Sequence, residues 1–349
     1  MQITEKTVPG YELVAFGQDR EAGYRGIIAI HSTVLGPAAG GTRFWNYGTE
    51  EDALQDALRL SRGMTYKSAL AGLPCGGGKS IILGDNRTRE REKIFRAHGR
   101  FVHALGGKYI TAEDVGTSPA DMEFVLQETT YVAGLQGRSG DPSPRTARGV
   151  FRAMQAAARH RWGRDSLAGR TIALQGCGNV GSHLAAELHR AGAKLVVTDV
   201  DEDRVARVVR ECGALAVAQE EIYGVQADIF APCALGAILN DHTIPRLRVE
   251  IVCGGANNQL LETRHGDLLE QRGILYVPDY AANAGGIISG GCMEMLGWEE
   301  ARMLERVEAI YDCLLEIFKI AHERRLATWR AADILAEQRL RPASLTRTM

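Results

Sequence analysis

Two lysines stand close together in Met64-Thr-Tyr-Lys67-Ser-Ala-Leu-Ala-Gly-Leu-Pro-Cys-Gly76-Gly-Gly-Lys79-Ser80, an apolar, glycine-rich stretch with few nearby carboxylates. Desolvating an ammonium group is costly, so lysines in such a setting suggest a site that receives an anion, or a lysine whose pKa is lowered for chemistry. Taken singly, Lys67 also reads as a helix-end cation and Lys79 as a surface residue beside a glycine turn. Asp114, in Thr111-Ala-Glu-Asp114-Val-Gly-Thr, closes a short strand and by itself reads as a turn or N-cap residue. A lysine and an aspartate sharing one dry cleft can exchange protons with a substrate.

Gly176-Cys-Gly178-Asn179-Val180-Gly181 follows a strand pattern and opens a helix pattern. That context gives GxGxxG its meaning as a dinucleotide fingerprint. Gly176 permits the tight turn, Gly178 lets the backbone approach a pyrophosphate at the helix N-terminus, and Gly181 lets helix and strand pack closely. Asp199 ends the next strand, where a carboxylate bonds the adenine ribose hydroxyls. Asp201 and Glu202 would repel a 2′-phosphate and Arg204 would attract one, a balance that favours NAD over NADP. The competing reading of Gly76-Gly-Gly-Lys79-Ser80 as an ATP-binding P-loop fails. That motif needs glycine at position 73, where this chain has leucine, and a helix downstream, where it has a strand pattern.

The elements that must hold these residues follow from periodicity. Thr49-Glu-Glu-Asp52 is a capping box, and Ala53, Leu54, Ala57, Leu58 and Leu60 continue it as a helix running toward Lys67. Strands are predicted within Tyr11–Ile30, at 80–83 after a glycine turn, and at 109–111. A helix is predicted over 91–105. After the turn-rich hinge Gly140-Asp-Pro-Ser-Pro144, helix 146–158 leads into strand 171–174, helix 181–190 and strand 194–198. Further strands at 228–231, 250–253 and 273–277 complete the rhythm of a parallel doubly wound sheet. A single helix over 303–323, with Leu304, Val307, Ile310, Leu314 and Ile317 on one face, is expected to return the chain to its first domain.

Composition sets the bounds. A chain of 349 residues predicts two domains, and 45% hydrophobic residues are ordinary for a soluble protein. A net charge of −2 gives no reason to expect nucleic acid or an anionic membrane as partner. No apolar run suits a signal peptide or a membrane span. Seven scattered cysteines without a CxxC pair predict reduced, buried thiols in a cytoplasmic protein and no metal site.

Nine motifs, in order along nearly the whole chain, resemble the glutamate/leucine/phenylalanine/valine dehydrogenase superfamily. They are Gly36-Pro-Ala-Ala-Gly-Gly-Thr-Arg43, Met64-Thr-Tyr-Lys67, Gly76-Gly-Gly-Lys79, Thr111-Ala-Glu-Asp114-Val-Gly, Gly140-Asp-Pro-Ser-Pro144, Gly176-Cys-Gly-Asn-Val-Gly181, Ala231-Pro-Cys-Ala-Leu-Gly236, Ala256-Asn-Asn-Gln-Leu260 and Pro278-Asp-Tyr-Ala-Ala-Asn283-Ala-Gly-Gly286. The leucine and phenylalanine enzymes are the nearest in kind. The resemblance implies an α/β fold of two domains with a cleft between them. One is an N-terminal substrate and oligomerisation domain over 1–144, completed by 323–349; the other is a Rossmann NAD-binding domain over 145–322.

It also implies reversible, NAD-dependent deamination of an L-amino acid to a 2-oxo acid and ammonia, in a homo-oligomer, dimer or octamer. By motif position, Lys67 would bind the substrate carboxylate with Asn258 and the backbone at Gly40 and Gly41. Lys79 would polarise the developing carbonyl and activate water, its pKa lowered by burial and by neighbouring Lys67. Asp114 would shuttle protons. Thr146 would hold the nicotinamide amide. Asn179, Val180 and Asp199 would contact the rest of NAD, with Ala234, Asn257 and Asn283 along the cofactor.

The side-chain pocket would be lined by Ala39, Met64, Ala112, Ile287 and Gly290. Small residues at 39 and 290 leave room for a large side chain, pointing to leucine, phenylalanine or tryptophan. Other readings stay open here: a non-catalytic NAD-binding regulator of the same fold, an engineered amine dehydrogenase, or a dehydrogenase of another 2-substituted acid. Intact Lys67, Lys79 and Asp114 weigh against the first, and Lys67 with Asn258 against the second.

Overall fold

The computed structural model describes residues 1–137 and 140–341, and of 291–293 the backbone alone. The chain divides into two compact units. One comprises Met1–Gly140, Gly290–Glu299 and the chain from Ala336; the other comprises Asp141–Ser289 and Glu300–Leu335. The division at Gly140 falls within the turn-rich hinge. Of the C-terminal segment expected to complete the first domain, 342–349 lie outside the described residues.

The first unit is built from β1 (Gln2–Glu5), β2 (Leu13–Asp19), β3 (Tyr24–Ser32), β4 (Ala38–Trp45), α1 (Glu50–Ala71), β5 (Gly76–Leu83), α2 (Arg91–Ala104), β6 (Tyr109–Glu113) and α3 (Pro119–Leu126). The strands form one mixed sheet in the order β1-β2-β3-β5-β4-β6. β4 runs parallel to β5 and β6, and the other ladders are antiparallel. Alternation along the strands feeds two cores, one on each face. Val14, Ile27, Ala29 and Ile81 meet Ala53, Leu54, Ala57 and Leu58 of α1. Ile28, Phe44 and Ile82 meet Phe95 and Phe101 of α2, with Met122 of α3. The Thr49 side chain caps α1 by accepting from the Asp52 amide, and Gly72, at φ 62°, ends it in the left-handed conformation that glycine adopts without strain.

The expected glycine turn before Lys79 is instead strand: Gly76, Gly77 and Gly78 are the first residues of β5. The reason is crowding rather than turning. A Cβ on Gly77 would fall on the backbone nitrogen of Thr65 in α1, and one on Gly78 would stand 2.6 Å from the Tyr109 ring. The glycines let α1 lie directly on β5.

The second unit contains α4 (Ser143–Trp162), β7 (Thr171–Gln175), α5 (Asn179–Arg190), β8 (Lys194–Thr198), α6 (Glu202–Cys212), β9 (Leu215–Ala216), β10 (Ile229–Pro232), β11 (Ile251–Val252), α7 (Arg264–Gln271), β12 (Leu275–Tyr276), α8 (Asp279–Ala282) and the start of α9 (Gly285–Leu296). Then follow α10 (Glu300–Glu308), α11 (Ile310–Arg324) and most of α12 (Thr328–Leu340). Its sheet is parallel throughout, in the order β12-β11-β10-β7-β8-β9. The order reverses between β10 and β7, the topological switch point of a Rossmann sheet.

The single helix expected over 303–323 is two, α10 and α11, and both pack on α4 within the second unit. The buried stripe is Met303, Val307, Ile310, Leu314 and Ile317, spaced four and three apart; Leu304 lies one position off it and is 39% exposed. The chain re-enters the first unit through α12 instead. No helix among the described residues is long and apolar enough to cross a membrane.

Candidate active site

β5 places Lys79 on the sheet face that carries α1. Its side chain is 6% exposed, and Nζ donates to Asp114 Oδ2 at 2.5 Å. Asp114 follows β6 directly and sits over Gly41, where a Cβ would approach the Asp114 Cβ to 2.8 Å. The turn carrying it is fixed by Thr117, whose hydroxyl accepts from the Asp114 amide at 2.8 Å and donates to the Thr42 carbonyl at 3.0 Å. A second cation meets the same carboxylate oxygen: Arg43 on β4 donates from Nε at 3.2 Å. Its Nη1 reaches Asp56 on α1 at 2.7 Å, and Asp56 also accepts from Tyr47 at 2.6 Å and Arg59 at 2.8 Å.

Burial pulls the Lys79 ammonium below its usual pKa. The Asp114 charge opposes this and the Arg43 charge adds to it. Arg43 is thus a cation acting on Lys79 beyond the one the motif positions name. Burial alone would raise the Asp114 pKa, but Lys79 and Arg43 outweigh it, and the carboxyl titrates below its usual range.

On the opposite face of the same strands lies a buried layer of neutral polar groups. Ser80 and Thr42 bond each other at 2.7 Å, Thr42 bonds Thr111, and His98 of α2 joins them through Nε2 at 3.0 Å from Thr42. His98 Nδ1 meets the Tyr24 hydroxyl at 2.9 Å, and Tyr109 donates to the Gly40 carbonyl at 2.5 Å. Burial pushes the His98 pKa down to about 3.

The remaining residues predicted to bind substrate divide between the units. Met64 and Lys67 are half-buried on α1, about one turn apart on either side of Thr65–Tyr66; Lys67 lies before the last turn of its helix, so it is not the helix-end cation of the alternative reading. Ala39, Gly40 and Gly41 lie on β4 between β5 and β6, with Gly41 paired to Ala112. Gly290, on α9, borders open space where a Cβ would stand. Ile287 and Asn258 belong to the second unit, and Asn258 adopts φ 50°.

In the second unit the predicted cofactor residues converge at the C-terminal ends of the parallel strands. Gly176 takes φ 101°, and a Cβ there would stand 2.9 Å from the Ala234 amide nitrogen. A Cβ on Gly181 would strike the Gly176 carbonyl, and one on Gly255 would meet Val180 at 2.8 Å. Gly178 caps α5 without a side chain, so the first amides of α5, at Asn179 and beyond, have no side-chain cap. A closely packed glycine loop before a twelve-residue helix is a cradle for a pyrophosphate. The Asp199 carboxylate accepts from Cys177 N at 2.6 Å and Asp201 N at 2.9 Å, which locks it at the end of β8. Arg204 is paired with Asp201 at 3.0 Å. Asn283 donates to Asn257 Oδ1 at 2.7 Å. Thr146, in the first turn of α4, stands 2.8 Å from where a Cβ of Gly286 would lie.

Sequence reasoning gave no role to Arg43 or His98. Arg43 carried a signal, since it ends the first motif two residues after Gly41; His98 carried none beyond its place on an apolar helix face.

A family model described as "Glu/Leu/Phe/Val dehydrogenase, dimerisation domain" matches residues 13–131, and one described as "Glutamate/Leucine/Phenylalanine/Valine dehydrogenase" matches 137–205 and 198–347. A leucine dehydrogenase of Geobacillus stearothermophilus is 55% identical over 95% of this chain and 90% of its own. A phenylalanine dehydrogenase of Caldalkalibacillus thermarum is 45% identical over 97% and 93%. The crystal structure of L-tryptophan dehydrogenase from Nostoc punctiforme superposes with a TM-score of 0.88 at 47% identity, covering 95% of this chain and 96% of that one.

Proposed function

The chain belongs to the Glu/Leu/Phe/Val dehydrogenase family, and from that premise we propose that it catalyses the reversible oxidative deamination of a hydrophobic L-amino acid to the 2-oxo acid and ammonia. The observation that carries the reading is the Lys79–Asp114 pair, 2.5 Å apart on a nearly inaccessible lysine. A buried lysine with a lowered pKa can spend part of its time neutral at working pH, and a carboxylate in contact with it can relay the proton.

In this reading Lys67 holds the substrate carboxylate, with the backbone at Gly40 and Gly41 and with Asn258. Lys79 polarises the developing carbonyl and activates the water that attacks the substrate imine, and Asp114 carries protons to and from the amine. The nicotinamide cofactor, when bound, supplies the hydride acceptor. The glycine loop, Asn179, Val180, Ala234, Asn257 and Asn283 hold it and Thr146 orients it. Locked Asp199, and Arg204 paired with Asp201, favour NAD over NADP. The family's dimerisation domain supports self-association.

Ala39 and the open space at Gly290 support leucine, phenylalanine or tryptophan as the side chain accepted. The test is NADH oxidation with a panel of 2-oxo acids, with and without ammonium. Turnover that requires ammonium, with the oxo acids of leucine, phenylalanine or tryptophan ahead of that of valine, is expected. Ammonium-independent turnover would make the protein a dehydrogenase of another 2-substituted acid. Valine ahead of all three would overturn the reading of a pocket for large side chains.

A further inference from the structure

Lys79, Asp114, Arg43, Asp56 and Arg59 form one alternating chain of contacts at 2.5, 3.2, 2.7 and 2.8 Å. It holds three cations and two carboxylates. Arginine does not give up its proton in proteins, so Arg43 and Arg59 permanently balance Asp56 and Asp114. The positive charge in excess is that of Lys79. We propose that Arg43 is a positioning residue for the deamination: its guanidinium is the permanent counter-ion of Asp114, so that Lys79, on the same carboxylate oxygen, is the cation that can release its proton. The proposal rests on the roles given above to Lys79 and Asp114.

Three details support it. Arg43 holds Asp114 by one arm and Asp56 by the other, so the guanidinium is fixed at both ends. The Tyr47 hydroxyl donates to the Asp56 oxygen that Arg43 grips, fixing the anchor in turn. Arg43 also stands two residues along β4 from Gly41, on the same strand face, and β4 borders both β5 with Lys79 and β6 with Asp114. When Lys79 passes its proton to solvent or substrate, the Asp114 carboxylate keeps a cation and does not draw the proton back. Without Arg43, Lys79 would be its single close counter-ion and would stay protonated.

Other groups coupled to the pair are Asp56 on α1, Glu113 and Tyr109 on β6, which feel Asp114, and Glu294 on α9, which acts on Glu113. Asp114 and Asp56 favour the protonated form of Lys79, and Arg43 opposes them.

The experiment is the pH dependence of kcat at saturating amino acid and cofactor, which reports groups in the substrate complex. In Arg43→Gln the limb on which deamination rises with pH is expected to move up by about one pH unit. Arg43→Lys should keep the limb near its wild-type position. Should Arg43→Gln fold poorly, guanidinium added to Arg43→Ala should bring the limb back. A limb that stays in place while kcat falls overturns the proposal, because a merely structural role predicts that result. Lys79→Ala separates the two levels. If it keeps turnover within a few-fold, the underlying reading of Lys79 fails. If it is inactive and the Arg43→Gln limb does not move, Arg43 alone has been misread.

Discussion

The two faces of β4 and β5 use neighbouring residues in opposite ways. On the α1 face, Lys79 and Arg43 are charged and converge on one carboxylate oxygen. On the α2 face, Ser80 and Thr42, one residue away from each, are neutral and hydrogen-bonded to each other and to His98. The strand's two-residue period makes this separation possible, since adjacent side chains point to opposite sides. The charged face carries the proton exchange proposed for Lys79. The neutral face satisfies its buried polar groups internally and so fixes the strand on which Lys79 rides. Reactivity and rigidity are thereby built into consecutive positions.

The largest expected break in stability comes from disturbing the neutral face. His98→Leu strands the Tyr24 hydroxyl, at about 1–3 kcal/mol for a buried group left unpaired, while Thr42 keeps Ser80 and Thr111. The sign of its pH dependence also follows. An unfolded imidazole takes up a proton near 6.5, whereas buried His98 resists until about 3. The contribution is therefore fully present above pH 6.5 and is lost as pH falls from there through 3. Thermal unfolding between pH 7 and 4 should show wild type losing stability more steeply than His98→Leu. Parallel curves would mean that His98 is not held neutral by the fold.

A more local effect is expected where substrate specificity is read. Gly290→Val fills the open space that a Cβ at this position of α9 would meet. It should lower kcat/KM for phenylalanine or tryptophan relative to valine by roughly 10–200-fold, the range for changes of about a methylene or two in an apolar pocket. Equal loss on all three substrates would show that the space at 290 is not part of the side-chain pocket.

Much of this was legible in the sequence because it rests on local pattern. The Thr49 cap, the strands of the parallel sheet and the glycine loop before α5 all express spacing within a few residues, and the structure places them there; of the expected capping box only the Thr49 half forms, since Asp52 accepts from the Thr49 hydroxyl and not from its amide. The Lys79–Asp114 contact was legible only through the motif set, since the two residues are 35 apart. What failed did so for stated physical causes. Gly76–Gly78 looked like a turn because glycine enters both turns and crowded strands, and only the approach of α1 and Tyr109 decides between them. Leu304 looked like core because it lies one position from the true stripe through Met303. His98 was silent because its partners come from Tyr24, Thr42 and Ser80, each supplied by a distant strand.

The most direct measurement compares two neighbours, Lys79→Ala and Ser80→Ala, for kcat and Tm side by side. Lys79→Ala should lose turnover by about 10²–10⁴-fold with Tm little changed. Ser80→Ala, which leaves Thr42 and Tyr109 short of a partner, should lose several degrees of Tm, at about 2–4 °C per kcal/mol, while the folded enzyme keeps most of its turnover. Equal losses of turnover, or a Lys79 variant whose main defect is stability, would contradict the division of labour between the two faces.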